Sequence, residues 1–192
     1  MSNDIRQTKM KTSIIATGAS LKDFPLFTIK GHKIAVNYAY KYVDYDFYVA
    51  MDNPVRHQFP DKKLHTHEMW VKKYNLSATP WDKSPTKGIN REGKLTAYNS
   101  SLFAAINIAL NLGFKEIDVY GADMCLTNDY VHFYSEQPCE PRLKKQYEKV
   151  FQRHKLYKES FMLQLKEDEK INWINQPEAP TFNGCFFMPS DD

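Results

Sequence analysis

Residues 99–123 read NSSLFAAINIALNLGFKEIDVYGAD, and this stretch decides the fold. Leu102, Phe103, Ile106, Ala109 and Leu110 recur at helical spacing and make one apolar face. Asn99, Ser100 and Ser101 supply short side-chain oxygens that can accept the orphan N–H groups of a first helical turn. Gly113 stands where such a helix stops, because glycine takes a positive φ without a Cβ clash. Residues 116–120 then alternate, with Ile117 and Val119 on one face, as a strand does. The strand runs into Gly121-Ala122-Asp123, a small-residue turn followed by a carboxylate. Open α/β sheets bind ligands at the carboxyl ends of their strands, so Ser100, Ser101 and Asp123 are candidate ligand contacts.

Upstream, the same pattern repeats in shorter units. Residues 12–17 (TSIIAT) predict a buried strand that runs directly into Gly18-Ala19-Ser20. A strand followed by a glycine and a small hydroxyl residue fits a turn whose backbone approaches a phosphate or ribose, and equally fits an ordinary tight turn. The second glycine of a dinucleotide fingerprint and the lysine of a P-loop are both missing. Residues 33–36 predict a second strand ending at Asn37, with a short helix over 38–43. Residues 47–51 predict a third strand, ending at Asp52, which is placed for a metal or a ribose. In a parallel sheet these loops share one edge and converge with Asp123.

The middle of the chain, 53–94, is rich in Lys, His and Pro and weak in apolar periodicity. It reads as a basic insertion or lid. Lys62, Lys63, Lys72, Lys73, Lys83, Lys87, Arg91 and Lys94 are interleaved with Trp70, Tyr74 and Trp81. That mixture suits a nucleic acid or an anionic glycan, or simply a solvated face. After Asp123 comes a polar, aromatic loop, and residues 140–169 then predict one long helix with an apolar stripe through Tyr147, Val150, Phe151, His154 and Phe161. Residues 171–174 predict the last strand. The expected organisation is a leader over 1–11, a single α/β domain over 12–178 and a tail over 179–192. The fold class is Rossmann-like, with a mostly parallel sheet, helices on both faces and a long C-terminal helix.

The 192 residues suffice for one real core, and 42% hydrophobic content argues against disorder. No apolar run long enough for a membrane span occurs, and the N-terminus lacks the apolar core of a signal peptide. Three cysteines at no zinc-like spacing read as free thiols, which points to the cytoplasm. A net charge of +3 is too mild to signal nucleic acid on its own. Aromatics at 14% are explained by an aromatic core or by an aromatic-lined site for a base or sugar.

His132 lies on the loop beyond the Asp123 strand. It can act as a general base, because imidazole titrates near neutrality, or serve as a packing residue. His65 and His67 lack a third ligand at a diagnostic spacing, so no metal site is assigned. Asp44-Tyr45-Asp46 spells the DxD of many sugar-nucleotide enzymes but precedes a strand, and it reads as a turn.

Three blocks resemble a known family. Ile14-Ile15-Ala16-Thr17-Gly18-Ala19-Ser20-Leu21-Lys22 is similar to the N-terminal signature of bacterial family-42 sialyltransferases, approximately IIAGNGPSLK. Val36-Asn37-Tyr38 resembles that family's Cys-Asn-Gln, and the run from Ser100 to Asp123 resembles its Ser-Gly…Ala-Leu-Gly-Tyr-Lys-Glu-Ile…Gly-Ile-Asp. The blocks also recur in a wider Rossmann-like group that includes bacterial and phage proteins and 6-hydroxymethylpterin diphosphokinases. The resemblance implies a cytidine-nucleotide site built from Gly18, Ser20, Asn37 and Ser101, with Ala19 and Ser100 beside them. It further implies a histidine base on a later loop, for which His132 is the candidate, and phosphate-stabilising tyrosines, for which Tyr130 and Tyr134 are the candidates. Where the family has Asn-Gly-Pro this chain has Thr17-Gly18-Ala19, so one asparagine contact is lost.

The function expected from the resemblance is a glycosyltransferase that takes a nucleotide-activated sugar and needs no other cofactor. The alternatives are a Mg²⁺-dependent diphosphokinase, with the metal on Asp52 or Asp123, and a non-catalytic binder of nucleotide or nucleic acid. The acceptor stays open between glycan, nucleic acid and small molecule, as does homo-oligomer formation.

Overall fold

The computed structural model describes residues 10–50, 88, 89, 91 and 100–174. Five strands, β1 (Lys11–Ile15), β2 (His32–Val36), β3 (Phe47–Val49), β4 (Glu116–Tyr120) and β5 (Lys170–Ile174), form one sheet in the order β3-β2-β1-β4-β5. Every pairing is parallel, with Ile14 beside Ile34 on one side and beside Val119 on the other. The chain therefore starts in the centre of the sheet, builds outward through β2 and β3, and returns to build the other half. That reversal beside β1 is the switch point at which open α/β sheets take ligands.

Successive strand residues point to opposite faces, and the inner strands are apolar at nearly every position, so both faces are buried. On the first face Ile14, Ile34, Val36, Val49, Ile117 and Val119 form one core with two α-helices, α1 (Ser101–Asn111) and α2 (Pro141–Met162). On the second face Ile15, Ala35 and Tyr48 pack with Leu21, Ile29, Ala39 and Phe133. The helices of this face are short 3-10 turns, Ala19–Leu21, Leu26–Thr28 and Asn37–Lys41. The expected α/β sheet with helices on both faces is thus present, with its two long helices on the same side.

Sequence spacing predicts one apolar face for α1, but Ser101 to Leu110 are all buried. A helix buried all round lies inside the protein rather than on it. Its end follows glycine chemistry: Gly113 has φ 92°, its N–H reaches the Leu110 carbonyl at 3.1 Å, and the Phe114 N–H reaches Ala109 at 3.1 Å. This pair of bonds is a Schellman stop, which satisfies the orphan carbonyls of the last turn.

α2 opens on Pro141, whose missing N–H costs nothing at the first helical position. It runs unbroken to Met162 and stops short of the predicted 169. Residues 163–169 instead make a turn anchored by Glu169, whose buried carboxylate accepts two bonds of 2.6 Å from Arg91. Arg91, itself partly exposed, therefore pairs with a buried carboxylate instead of standing only on the solvated basic face that its neighbours in sequence suggest. Only Tyr157 and Phe161 of α2 are buried. Among the described residues no helix is long and apolar enough to cross a membrane.

Phe161 is fully buried, 5.1 Å from the Phe103 ring. Phe161→Ala is expected to lower the unfolding free energy by about 3–5 kcal/mol through lost burial and the cavity left behind. A urea titration followed by circular dichroism measures it; a loss under about 1 kcal/mol would mean that α2 is not anchored there.

Candidate functional site

The site forms where the carboxyl ends of β1, β2 and β4 meet the start of α1. The turn after β1 is held against the loop after β4 by backbone and side chain together. The Gly18 N–H donates to the Gly121 carbonyl at 2.7 Å. Asp123 accepts from the Ser20 N–H at 2.8 Å, from the Ser20 hydroxyl, and from the Thr127 hydroxyl at 2.8 Å. A Cβ at position 18 would collide with the Asp123 carboxylate and the Gly121 carbonyl, so glycine is required for this approach.

The loop beyond Asp123 is shaped by a tight turn. Thr127 and Tyr130 exchange both backbone hydrogen bonds, at 3.1 and 2.9 Å, around Asn128 and Asp129 at φ 50° and 67°. Two consecutive positive φ values define a turn that Asn and Asp tolerate better than most residues. The chain then comes back onto β1's continuation: the Phe133 N–H donates to the Thr17 carbonyl at 3.1 Å, and His132 bridges Gly18 in antiparallel fashion. His132 is thus placed by backbone pairing. Its ring stacks on Tyr134 at 5.1 Å and 13°.

These elements enclose a cavity of about 380 Å³. Gly18, Asn37, Ser100, Ser101, Asp123, His132 and Tyr134, all singled out from sequence, line it together. Ala19 and Ser20 lie just behind it: Ala19 is buried, and Ser20 is turned onto Asp123. Tyr130 also stands outside the lining, with the Lys22 ammonium 4.3 Å above its ring. Asp52 lies outside the described residues, as does most of the 53–94 segment.

Several lining groups are held ready rather than satisfied. Asn37 sits at φ 50°, and its Oδ1 is buried without a hydrogen-bond partner. Met124, a residue with no side-chain compensation for the left-handed region, sits at φ 53°. Ser100 precedes α1 in extended conformation, yet its hydroxyl makes no capping bond. The first turn of α1 borders the cavity through Ser100, Ser101 and Leu102, and the helix dipole places partial positive charge at that end. The Nδ1 atom of His132 is buried and unpartnered. Burial pushes its pKa below the usual imidazole value, against the opposing pull of the Thr17 carbonyl and the Asp123 charge. Burial likewise keeps the Tyr134 phenol protonated well beyond its ordinary range, with Tyr38 and Tyr42 adding to the effect. The arrangement offers a neutral base, a phenolic donor and a helix N-terminus around one space, which suits an anionic ligand and a proton transfer. Asp123 spends its oxygens on Ser20 and Thr127, and among the described residues no group of three His, Cys, Asp or Glu side chains converges on a metal position.

The far wall comes from α2, through Tyr147, Val150, Phe151 and His154. Sequence reading assigns these to a core stripe and misses them as site residues. The available signal was continuity, since the His132 loop leads within a few residues into Pro141, so the first turns of α2 have to stay near the site.

No protein-family model, curated protein or solved structure matches this chain.

His154 provides a pH test. Its ring is wedged edge-on against Phe103 at 5.8 Å, and burial, with a smaller push from the Arg153 charge, lowers its pKa from 6.5 to about 4. Between those values the unfolded chain binds a proton that the folded chain refuses. Stability is therefore expected to fall as pH drops from about 6.5 towards 4, by up to about 3 kcal/mol from this residue. Urea midpoints at pH 7 and pH 4.5 measure the loss, and His154→Phe is expected to remove that share of it. An equal loss in both proteins would show that His154 is not buried in its neutral form.

Proposed function

We propose that the protein is a glycosyltransferase that uses a nucleotide-activated sugar of the CMP-sugar type. The observation that carries this reading is His132, a half-buried imidazole that lines the same cavity as Ser100 and Ser101 at the start of α1, with burial holding it neutral and its Nδ1 without a hydrogen-bond partner. A base and an anion-favouring helix end on one cavity are what a displacement at an anomeric carbon needs.

In the proposed reaction the nucleotide phosphate lies at the N-terminus of α1, near Ser100 and Ser101, with Asn37 supplying its buried carbonyl oxygen to a donor on the ligand. An acceptor hydroxyl oxygen attacks the anomeric carbon as the bond from that carbon to the phosphate oxygen breaks. His132 takes the hydroxyl proton. The electron pair of the broken bond leaves on the phosphate, where the Tyr134 O–H and the α1 N–H groups stabilise it. The resemblance of the Gly18, Asn37 and Ser100–Asp123 blocks to family-42 sialyltransferases supports the same donor class. The sugar-nucleotide is then a co-substrate, and no metal enters the step.

A mass-spectrometric assay for nucleotide release from a panel of CMP- and UDP-sugars, with and without chelator, tests the reading. Release that persists in chelator is expected, together with a drop of about 10²-fold or more in His132→Ala. An unchanged rate in His132→Ala removes the histidine from the chemistry. If no donor turns over and no nucleotide raises the melting temperature, the transferase reading fails.

A further inference from the structure

α2 has two unlike halves. Its C-terminal half carries Tyr157 and Phe161 into the core. Its N-terminal half carries Tyr147, Phe151 and His154, spaced along one face, and these remain half-buried because they border the cavity rather than packed protein. Tyr147 and Phe151 lie nearly parallel, at 6.1 Å and 25°. His154 rests on Phe103 and, 6.4 Å away, Tyr157, and borders the cavity beside Phe151 and Tyr147. A half-buried imidazole at a cavity wall can offer a ligand one donor and one acceptor. The opposite wall, with Asn37, Ser100, Ser101 and His132, is polar. One space thus has an anion-favouring side and an aromatic side with a hydrogen-bonding edge.

We propose that α2 is the base-reading wall of the site, with Tyr147 and Phe151 covering a planar heterocycle and His154 hydrogen-bonding its edge. Aromatic side chains accept the face of any base. A neutral imidazole offers one donor and one acceptor, so it distinguishes bases by the pattern of their edges. The ligand class is a nucleoside monophosphate, or the nucleotide part of a larger donor. This inference rests on the nucleotide reading of the cavity and adds to it the side on which the base lies and the residue that reads it.

Isothermal titration of the full chain with CMP, UMP, AMP, GMP and ribose 5-phosphate tests it. The wild-type protein is expected to favour one base over the least favoured by about tenfold or more, the discrimination one good hydrogen-bond pair gives. His154→Phe preserves the ring contact with Phe103 and is expected to compress that preference to about twofold. His154→Gln restores a donor and an acceptor and is expected to recover part of it. Phe151→Leu is expected to weaken all four nucleotides alike, since stacking is tolerant of sequence. Circular dichroism confirms that each variant is folded. A wild-type base preference in His154→Phe, or ribose 5-phosphate binding as tightly as the nucleotides, overturns the assignment of the wall while leaving the anion side intact. If none of the five probes binds the wild-type protein, the nucleotide reading falls and this inference with it.

Discussion

The carboxylate of Asp123 is the interaction on which the rest of the site depends. It gathers the N–H and hydroxyl of Ser20 and the hydroxyl of Thr127, and so fastens the turn after β1 to the loop after β4. Hydrogen bonds to a charged acceptor contribute about 1.5–3 kcal/mol each, enough to fix two loops that share only one sheet edge. Gly18, two residues before Ser20, can approach the Asp123 loop so closely only because it has no side chain. Once the two loops are joined, the continuation of β1 presents the Thr17 carbonyl as an acceptor, and the returning chain pairs with it and delivers His132. The same carboxylate that sequence marks as a ligand contact also aligns other residues.

The cavity exists because of an imbalance in the helical layer. α1 is buried from Ser101 to Leu110 in the core it shares with the sheet and α2, and α2 buries side chains only in its C-terminal turns. The N-terminal turns of α2 therefore pass over the strand ends with a gap beneath them. Backbone strain marks the same place: Asn37 and Met124, both on the lining, hold positive φ values. Such positions cost about 1–3 kcal/mol each and persist where the surrounding structure over-determines them. Their coincidence with unpartnered polar atoms on Asn37 and His132 separates this space from an ordinary packing defect.

The sheet was legible in the sequence because its signals are local. The alternation over 116–120 matches β4 to the residue, and Gly113 ends α1 where a glycine should. The convergence of Gly18, Asn37, Ser100, Ser101 and His132 was legible as well, because parallel strands put their following loops on one edge. The uses of individual side chains were not. Spacing could not show that Ser20 and Asp123, far apart in the chain, would satisfy each other, nor that Tyr130 would turn away beneath Lys22 while Tyr134 turned inward. The apolar stripe on α2 does not reveal a cavity wall in sequence, since helical periodicity reports which residues share a face and not what that face meets. Arg91 was grouped with its lysine neighbours for a similar reason, because a charge in a sequence does not announce a buried Glu169.

The placement of β1 at the centre of the sheet bears on the order in which the molecule assembles. β1 and β2 pair across a short span of chain, Ile14 with Ile34, and can meet early. The pairing of β1 with β4, and the clasp of Ser20 on Asp123 at a separation of 103 residues, must wait for a far larger loop to close. Loop closure grows costlier with length, and non-local pairings are the slow ones. The binding edge is therefore completed only when the second half of the sheet docks on the first. Until then the first half exposes the apolar face that α1 will cover. Synthesis of the chain releases β1 and β2 before β4, so the nascent protein carries an unpaired central strand edge until β4 emerges.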